Sequence, residues 1–197
     1  MPWPEPVTLE GKLATLVPLT QAHAGELAEA AAEGGVHRLW YTAVPAPEKV
    51  PAEIERRLKL QEAGSMLAFT IISSETGKAV GMTTYMNIDA ANKRVEIGST
   101  WYRPAVQRTG LNTECKLMLL RHAFETLGCI AVEFRTHFMN RQSRAAIERL
   151  GAKLDGILRS HQQLPDGSLR DTCVYSIIAS EWLTVRNHLT WQMEKPR

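Results

Sequence analysis

WYRPAVQRTGLNTECK, residues 101–116, decides how this chain is read. Trp101 and Tyr102 close a strand and Pro104 starts a turn. The polar run Gln107-Arg108-Thr109-Gly110-Leu111-Asn112 then leads into a helix through Thr113, Glu114, Lys116, Leu117, Met118, Leu119 and Leu120. A glycine at such a junction lets backbone N–H groups converge on one point. The first-turn N–H groups of a helix have no internal partner, and the positive end of the helix dipole lies among them. Together they make a seat for a phosphate, with Arg103, Arg108 and Lys116 expected to add positive charge around it. The plainer alternative is a helix-start turn without a ligand.

Working outward, residues 8–18 alternate loosely and read as a first strand. Thr20 is an N-cap signal for a helix over 21–33, ended by Gly34-Gly35. The segment 36–52 carries three prolines and Trp40-Tyr41, too irregular for a long element. A second helix spans 53–62. The pattern then turns to strands at 66–73, 79–87 and 93–102, joined by polar turns. A helix over 110–127, a strand over 129–138 and a helix over 140–150 stopped by Gly151 follow. A final strand pair, 152–164 and 169–178, is joined at Pro165-Asp166-Gly167-Ser168, and a helical tail starts near 180. The order β-α-α-β-β-β-α-β-α-β-β gives an α/β (α+β) class, a mixed sheet of about seven strands with helices on its faces. A dinucleotide-binding sheet is excluded: it needs repeated βαβ units and an early Gly-x-Gly-x-x-Gly turn.

Composition narrows the function classes. The 197 residues suit one domain, taken as 1–197 with the helical tail from about 180. Lys plus Arg is 23 against 21 for Asp plus Glu, too balanced for a dedicated nucleic-acid binder. Apolar runs fall short of a membrane span, and the start MPWPEPVTLEGK has no signal core, so a cytoplasmic protein without a membrane partner is expected. Cys115, Cys129 and Cys173 read as reduced thiols. The six histidines show no metal-ligand spacing, so no metal is expected.

Four passages, in order, resemble the GCN5-related N-acetyltransferase (GNAT) superfamily, and within it the subgroup akin to the ribosomal-protein N-terminal acetyltransferases (RimJ/RimL-like). They are EIG at 96–98, TGLNTECK at 109–116, NRQSRAAIERLGA at 140–152, and GILRSHQQLPDGSLRDT at 156–172 followed by EW at 181–182. The family's phosphate loop is Gln/Arg-x-x-Gly-x-Gly/Ala. Gln107 and Gly110 match it, and Asn112 replaces the final small residue. The resemblance implies an acetyl-CoA-dependent N-acetyltransferase, with the pyrophosphate held by Gln107, Arg108, Thr109, Gly110, Leu111, Asn112 and Thr113. It also implies that strands 93–102 and 130–138 splay apart to admit the pantetheine arm. The acceptor it implies is a primary amine, on a protein N-terminus or a small molecule, and relatives often form a homodimer.

Acyl transfer from a thioester needs a neutral amine, stabilisation of the carbonyl oxygen and a proton for the leaving thiolate. Asn140 and Ser143 form Asn-x-x-Ser at a helix start. Asn140 is an N-cap by its position, and the resemblance adds a contact to the pantetheine arm and makes Ser143 the proton donor. Glu96, mid-strand, is either a base whose burial raises its pKa or a structural ion-pair partner. His161 stands where the ribosomal-protein enzymes carry a glutamate, and is a substitute base. Trp40 and Tyr41 either line the acceptor cleft or cover the core. The rival from another class is a catalytically inactive CoA-binding or interaction module, favoured by Asn112 and by the missing glutamate.

Overall fold

The computed structural model describes residues 3–42 and 44–195. Met1, Pro2, Ala43, Pro196 and Arg197 belong to the expected start, the 36–52 segment and the tail, and lie outside the described residues. The strands are β1 (Leu9–Glu10), β2 (Ala14–Pro18), β3 (Met66–Ser73), β4 (Ala79–Asp89), β5 (Arg94–Tyr102), β6 (Ala131–His137), β7 (Lys153–Gln163) and β8 (Leu169–Ile178). The α-helices are α1 (Ala24–Ala32), α2 (Val50–Glu62), α3 (Leu111–Arg121), α4 (Arg141–Arg149) and α5 (Trp182–Glu194). One sheet runs in the order β1-β2-β3-β4-β5-β6-β8-β7. Every pairing is antiparallel except β5 with β6.

Strand alternation distributes the core to the two faces. Leu67, Phe69 and Ile71 of β3 and Val95 and Ile97 of β5 pack with Leu117, Leu119 and Leu120 of α3 and with Val185 and Leu189 of α5. Ala68, Met82 and Trp101 point the other way, toward Leu27, Ala30 and Ala31 of α1 and Ile54 of α2.

Three boundaries differ from the sequence reading. Pro51 sits in the first turn of α2, where its missing N–H costs nothing, so the helix begins at Val50 rather than 53. The expected helix 110–127 changes to a π turn over His122–Thr126. The single strand expected over 8–18 is a β1–β2 hairpin, which raises the count from about seven strands to eight. Its turn is shaped by a carboxylate a hundred residues away. Glu114 of α3 is buried and accepts from the backbone N–H of Lys12 (2.8 Å), Leu13 (2.7 Å) and Ala14 (3.0 Å). A Cβ on Gly11 would lie 2.6 Å from a Glu114 oxygen, so only glycine fits this approach.

Losing the carboxylate would leave three N–H groups without their charged acceptor. Glu114→Ala is expected to cost about 3 kcal/mol, and Glu114→Gln less, as measured by urea unfolding. An Ala variant as stable as wild type would show that water replaces the carboxylate.

Candidate active site

The parallel ladder between β5 and β6 joins Arg94 to Ala131, Val95 to Val132 and Glu96 to Glu133, and then stops. Beyond it β5 continues to Tyr102 and β6 to His137 with no pairing between them. The two strands open as a V, as the sequence led us to expect. Each diverging strand leads into a helix, β5 into α3 and β6 into α4, so both helix N-termini follow from the open end. β5 is also bulged here. Its register with β4 shifts between Met82 and Thr84, and Ser99 takes a left-handed φ of 47°. Two buried cations grip the bulge. Arg57 of α2 donates to Thr84 Oγ1 (2.6 Å) and Ser99 O (3.4 Å). Lys116 of α3 donates to Thr100 Oγ1 (2.7 Å) and Thr83 Oγ1 (3.3 Å).

At the start of α3 the chain runs through a 3-10 turn at Pro104–Val106. Gln107 Nε2 donates to Tyr102 O (3.0 Å), and Thr109 Oγ1 donates to Val106 O (2.7 Å) and accepts from Leu111 N (3.2 Å). The N–H groups of Arg108, Thr109, Gly110, Asn112 and Thr113 have no acceptor among the described residues. Five free donors on one loop and helix turn fit an anion such as a pyrophosphate. The left-handed residue that bends the loop is Arg108 (φ 61°), whereas Gly110 has a helical φ of −71°. The expected ring of three cations is corrected. Arg103 pairs with Glu33, and Lys116 turns into the core at 6% exposure, which leaves exposed Arg108 at the loop.

Asn140 caps α4, its Oδ1 accepting from Ser143 N (3.0 Å). Its amide Nδ2 and the half-buried Ser143 hydroxyl remain free of protein partners among the described residues. The neighbouring Tyr175 hydroxyl is engaged, accepting from Arg144 Nε (3.0 Å) and donating to Glu148 (2.7 Å).

Glu96 alternates with Val95 and Ile97, so it faces the α1–α2 side of the V, with 5% exposure. Asn87 Nδ2 donates to it (2.7 Å) and Arg135 Nε lies 3.5 Å away. Burial raises its pKa, against the opposing pull of Asn87 and Arg135. A Cβ on Gly98 would come within 3.0 Å of its Oε1. Glu133, Arg135 and His137 of β6 and Arg170 and Thr172 of β8 share this face, because their neighbours in sequence fill the opposite core. His137, at 5% exposure, has a lowered pKa, first from burial and then from the Arg170 charge. The edge of Trp40 meets its ring at 5.1 Å between centroids, and Tyr41 meets Trp40 at 5.5 Å. The expected acceptor-side aromatics thus reach the end of β6, with Trp40 itself 57% exposed. His161 sits on β7 with Nδ1 3.1 Å from Thr172 Oγ1, separated from the V by β8. Asp171, next to Arg170 in sequence, pairs with Arg159 (2.5 Å). The sequence reading missed Arg57 and His137 as site neighbours. A lone arginine in an amphipathic helix and a histidine closing a strand carry no pattern that separates them from surface or packing residues.

A sequence model described as an acetyltransferase (GNAT) domain matches residues 14–153. Over 106 residues, 54% of this chain and 57% of the relative, the sequence is 31% identical to Bacillus subtilis YdaF, whose name proposes a ribosomal N-acetyltransferase. A Bacillus licheniformis protein, the uncharacterised N-acetyltransferase p20, is 27% identical over 60% of this chain and 66% of its own length. The chain therefore spans less than two thirds of the length of these curated relatives. Among solved structures, a GCN5-related N-acetyltransferase from Brucella melitensis superposes with a TM-score of 0.86 at 32% identity, covering 96% of this chain and 87% of that one.

Lys116 gives this site a measurable electrostatic signature. Its pKa is lowered to about 8 by burial, from an ordinary 10.5. Between those values the unfolded chain holds a proton that the folded chain lacks, so wild-type stability gains with pH across that window. The stability of wild type relative to Lys116→Met is expected to improve from pH 8 to 10.5 in chemical denaturation. A pH-independent difference would mean that the ammonium is not desolvated.

Proposed function

The chain belongs to the GNAT acetyltransferase family, and on that premise we propose that it transfers an acetyl group directly from acetyl-CoA to a primary amine. The observation that carries this reading is the set of five free N–H groups at the start of α3, at the open end of the V. Arg108 and residues 107–113 hold the pyrophosphate, and the unpaired edges of β5 and β6 flank the pantetheine arm. Asn140 uses its free Nδ2 toward that arm.

The cofactor supplies an activated thioester. The protein binds both partners, orients them and moves protons. In the transfer an N–C bond forms, the C–S bond breaks, the amine loses a proton and the thiolate gains one. Glu96 takes the first proton, directly or through water, since burial moves its pKa toward working pH. Ser143 supplies the second from its free hydroxyl. His161, held on Thr172, is the alternative base at the rim. The α3 side receives the cofactor and the α1–α2 face, with Trp40 and Tyr41, receives the amine. The acceptor is a protein N-terminus or a small-molecule amine, in the cytoplasm.

Added CoA is expected to raise the Tm, and Gly110→Trp, which drives an indole into the amide loop, to abolish that rise. Glu96→Gln should leave the CoA shift intact and lower kcat about 100-fold or more, removing the acidic limb of the pH profile. No shift at millimolar CoA would sink the reading. Binding without thiol release on any amine would favour the inactive CoA-binding module.

A further inference from the structure

Two side chains on the acceptor face, His137 and Arg170, keep N–H groups without an acceptor among the described residues. His137 Nδ1 accepts the backbone N–H of Met139 (3.0 Å), which fixes that nitrogen as the unprotonated one. In the neutral ring the proton therefore sits on Nε2. That atom is buried and has no partner among the described residues. The half-buried Arg170 donates from Nε to Thr172 Oγ1 (3.0 Å) and makes no ion pair within 4.0 Å among the described residues. The other charges on this face are already matched. Glu133 takes Arg94 (2.5 Å) and Arg135 (3.0 Å), and Glu96 takes Asn87 and Arg135. Asp155 stays at the far end with Ser176 (3.0 Å). In the sheet register His137 stands opposite Thr172, two residues from Arg170, under the Trp40 edge.

Resting on the acetyl-transfer reading, we propose that the acceptor is a primary amine carrying a carboxylate, which docks on the Arg170 guanidinium and the His137 Nε2–H. Both groups only donate, and a planar guanidinium matches a carboxylate with two parallel bonds. The amine then lies toward Glu96. The same arrangement disfavours polyamines, which would bring a second positive charge up to Arg170. Two sources offer this chemistry: a free amino acid, or a peptide whose residue next to the amine is acidic.

The test is thiol release from acetyl-CoA with matched acceptors: a panel of free amino acids against their carboxamides, and tripeptides with Asp or Glu at the second position against Asn or Gln. The expected result is a kcat/KM at least about tenfold higher for the carboxylate member of one set, which also identifies the source. Arg170→Gln is expected to lower kcat/KM for that acid at least about tenfold more than for its amide, mainly through KM. Equal rates for acids and amides, or an equal loss for both in the variant, would overturn the proposal. Transfer to polyamines or amides alone would also overturn it while leaving acetyl transfer standing. Absence of thiol release with every acceptor defeats it too, and the CoA-induced Tm rise then reports whether the underlying reading fell with it.

Discussion

Three residue pairs hold β5 to β6, and the open end of the sheet follows from the ladder ending there. Two adjacent strands that part company leave backbone donors and acceptors without partners, which a buried sheet normally avoids. Here the opening is stabilised from outside the ladder. β5 stays tied to β4 and β6 stays tied to β8, so the strands are fixed on their far edges while their near edges separate. The helices that continue from them start at the same end, α3 with an unsatisfied first turn and α4 capped by Asn140. Unpaired strand edges and free N–H groups of α3 thus lie at one end of the sheet.

The bulge at Ser99 is the second part of the same arrangement, and it is held by charge. Arg57 and Lys116 approach from opposite faces and bond hydroxyls and a carbonyl rather than carboxylates, apart from the Arg57 pair with Glu53. Burying an ammonium without a counter-ion is unfavourable. A methionine at 116 would pack there more cheaply, because Thr83 and Thr100 already bond each other at 2.8 Å. Glu114, two residues earlier on α3, makes the opposite use of a buried charge and fastens the first hairpin of the sheet. The helix that begins the amide loop is therefore anchored at both the sheet edge and its centre.

Much of this was legible in the sequence, because local signals and tertiary structure agreed. Gly34-Gly35 and Gly151 stop helices, alternation marks β3 to β6, and the 107–110 loop and Asn140 cap lie where the strand-to-helix junctions predict. The start of α2 was missed for a local reason, Pro51 in its first turn, whereas the hairpin and the loop cations were missed because their partners are long-range. A strand over 8–18 cannot reveal a break imposed by Glu114. The cations near the loop looked alike, yet Arg103 found Glu33 and Lys116 found Thr100, and only tertiary placement separates them from Arg108. His137 and Arg170 acquire meaning through register across β6 and β8, which composition does not carry.

Backbone amide NMR during a CoA titration reports, residue by residue, whether the free N–H groups of the loop before α3 receive a pyrophosphate. Large, saturable shifts are expected at Arg108, Thr109, Gly110, Asn112 and Thr113, with smaller ones along β5 beyond Glu96. Saturable binding that leaves those five amides unmoved would contradict pyrophosphate binding there.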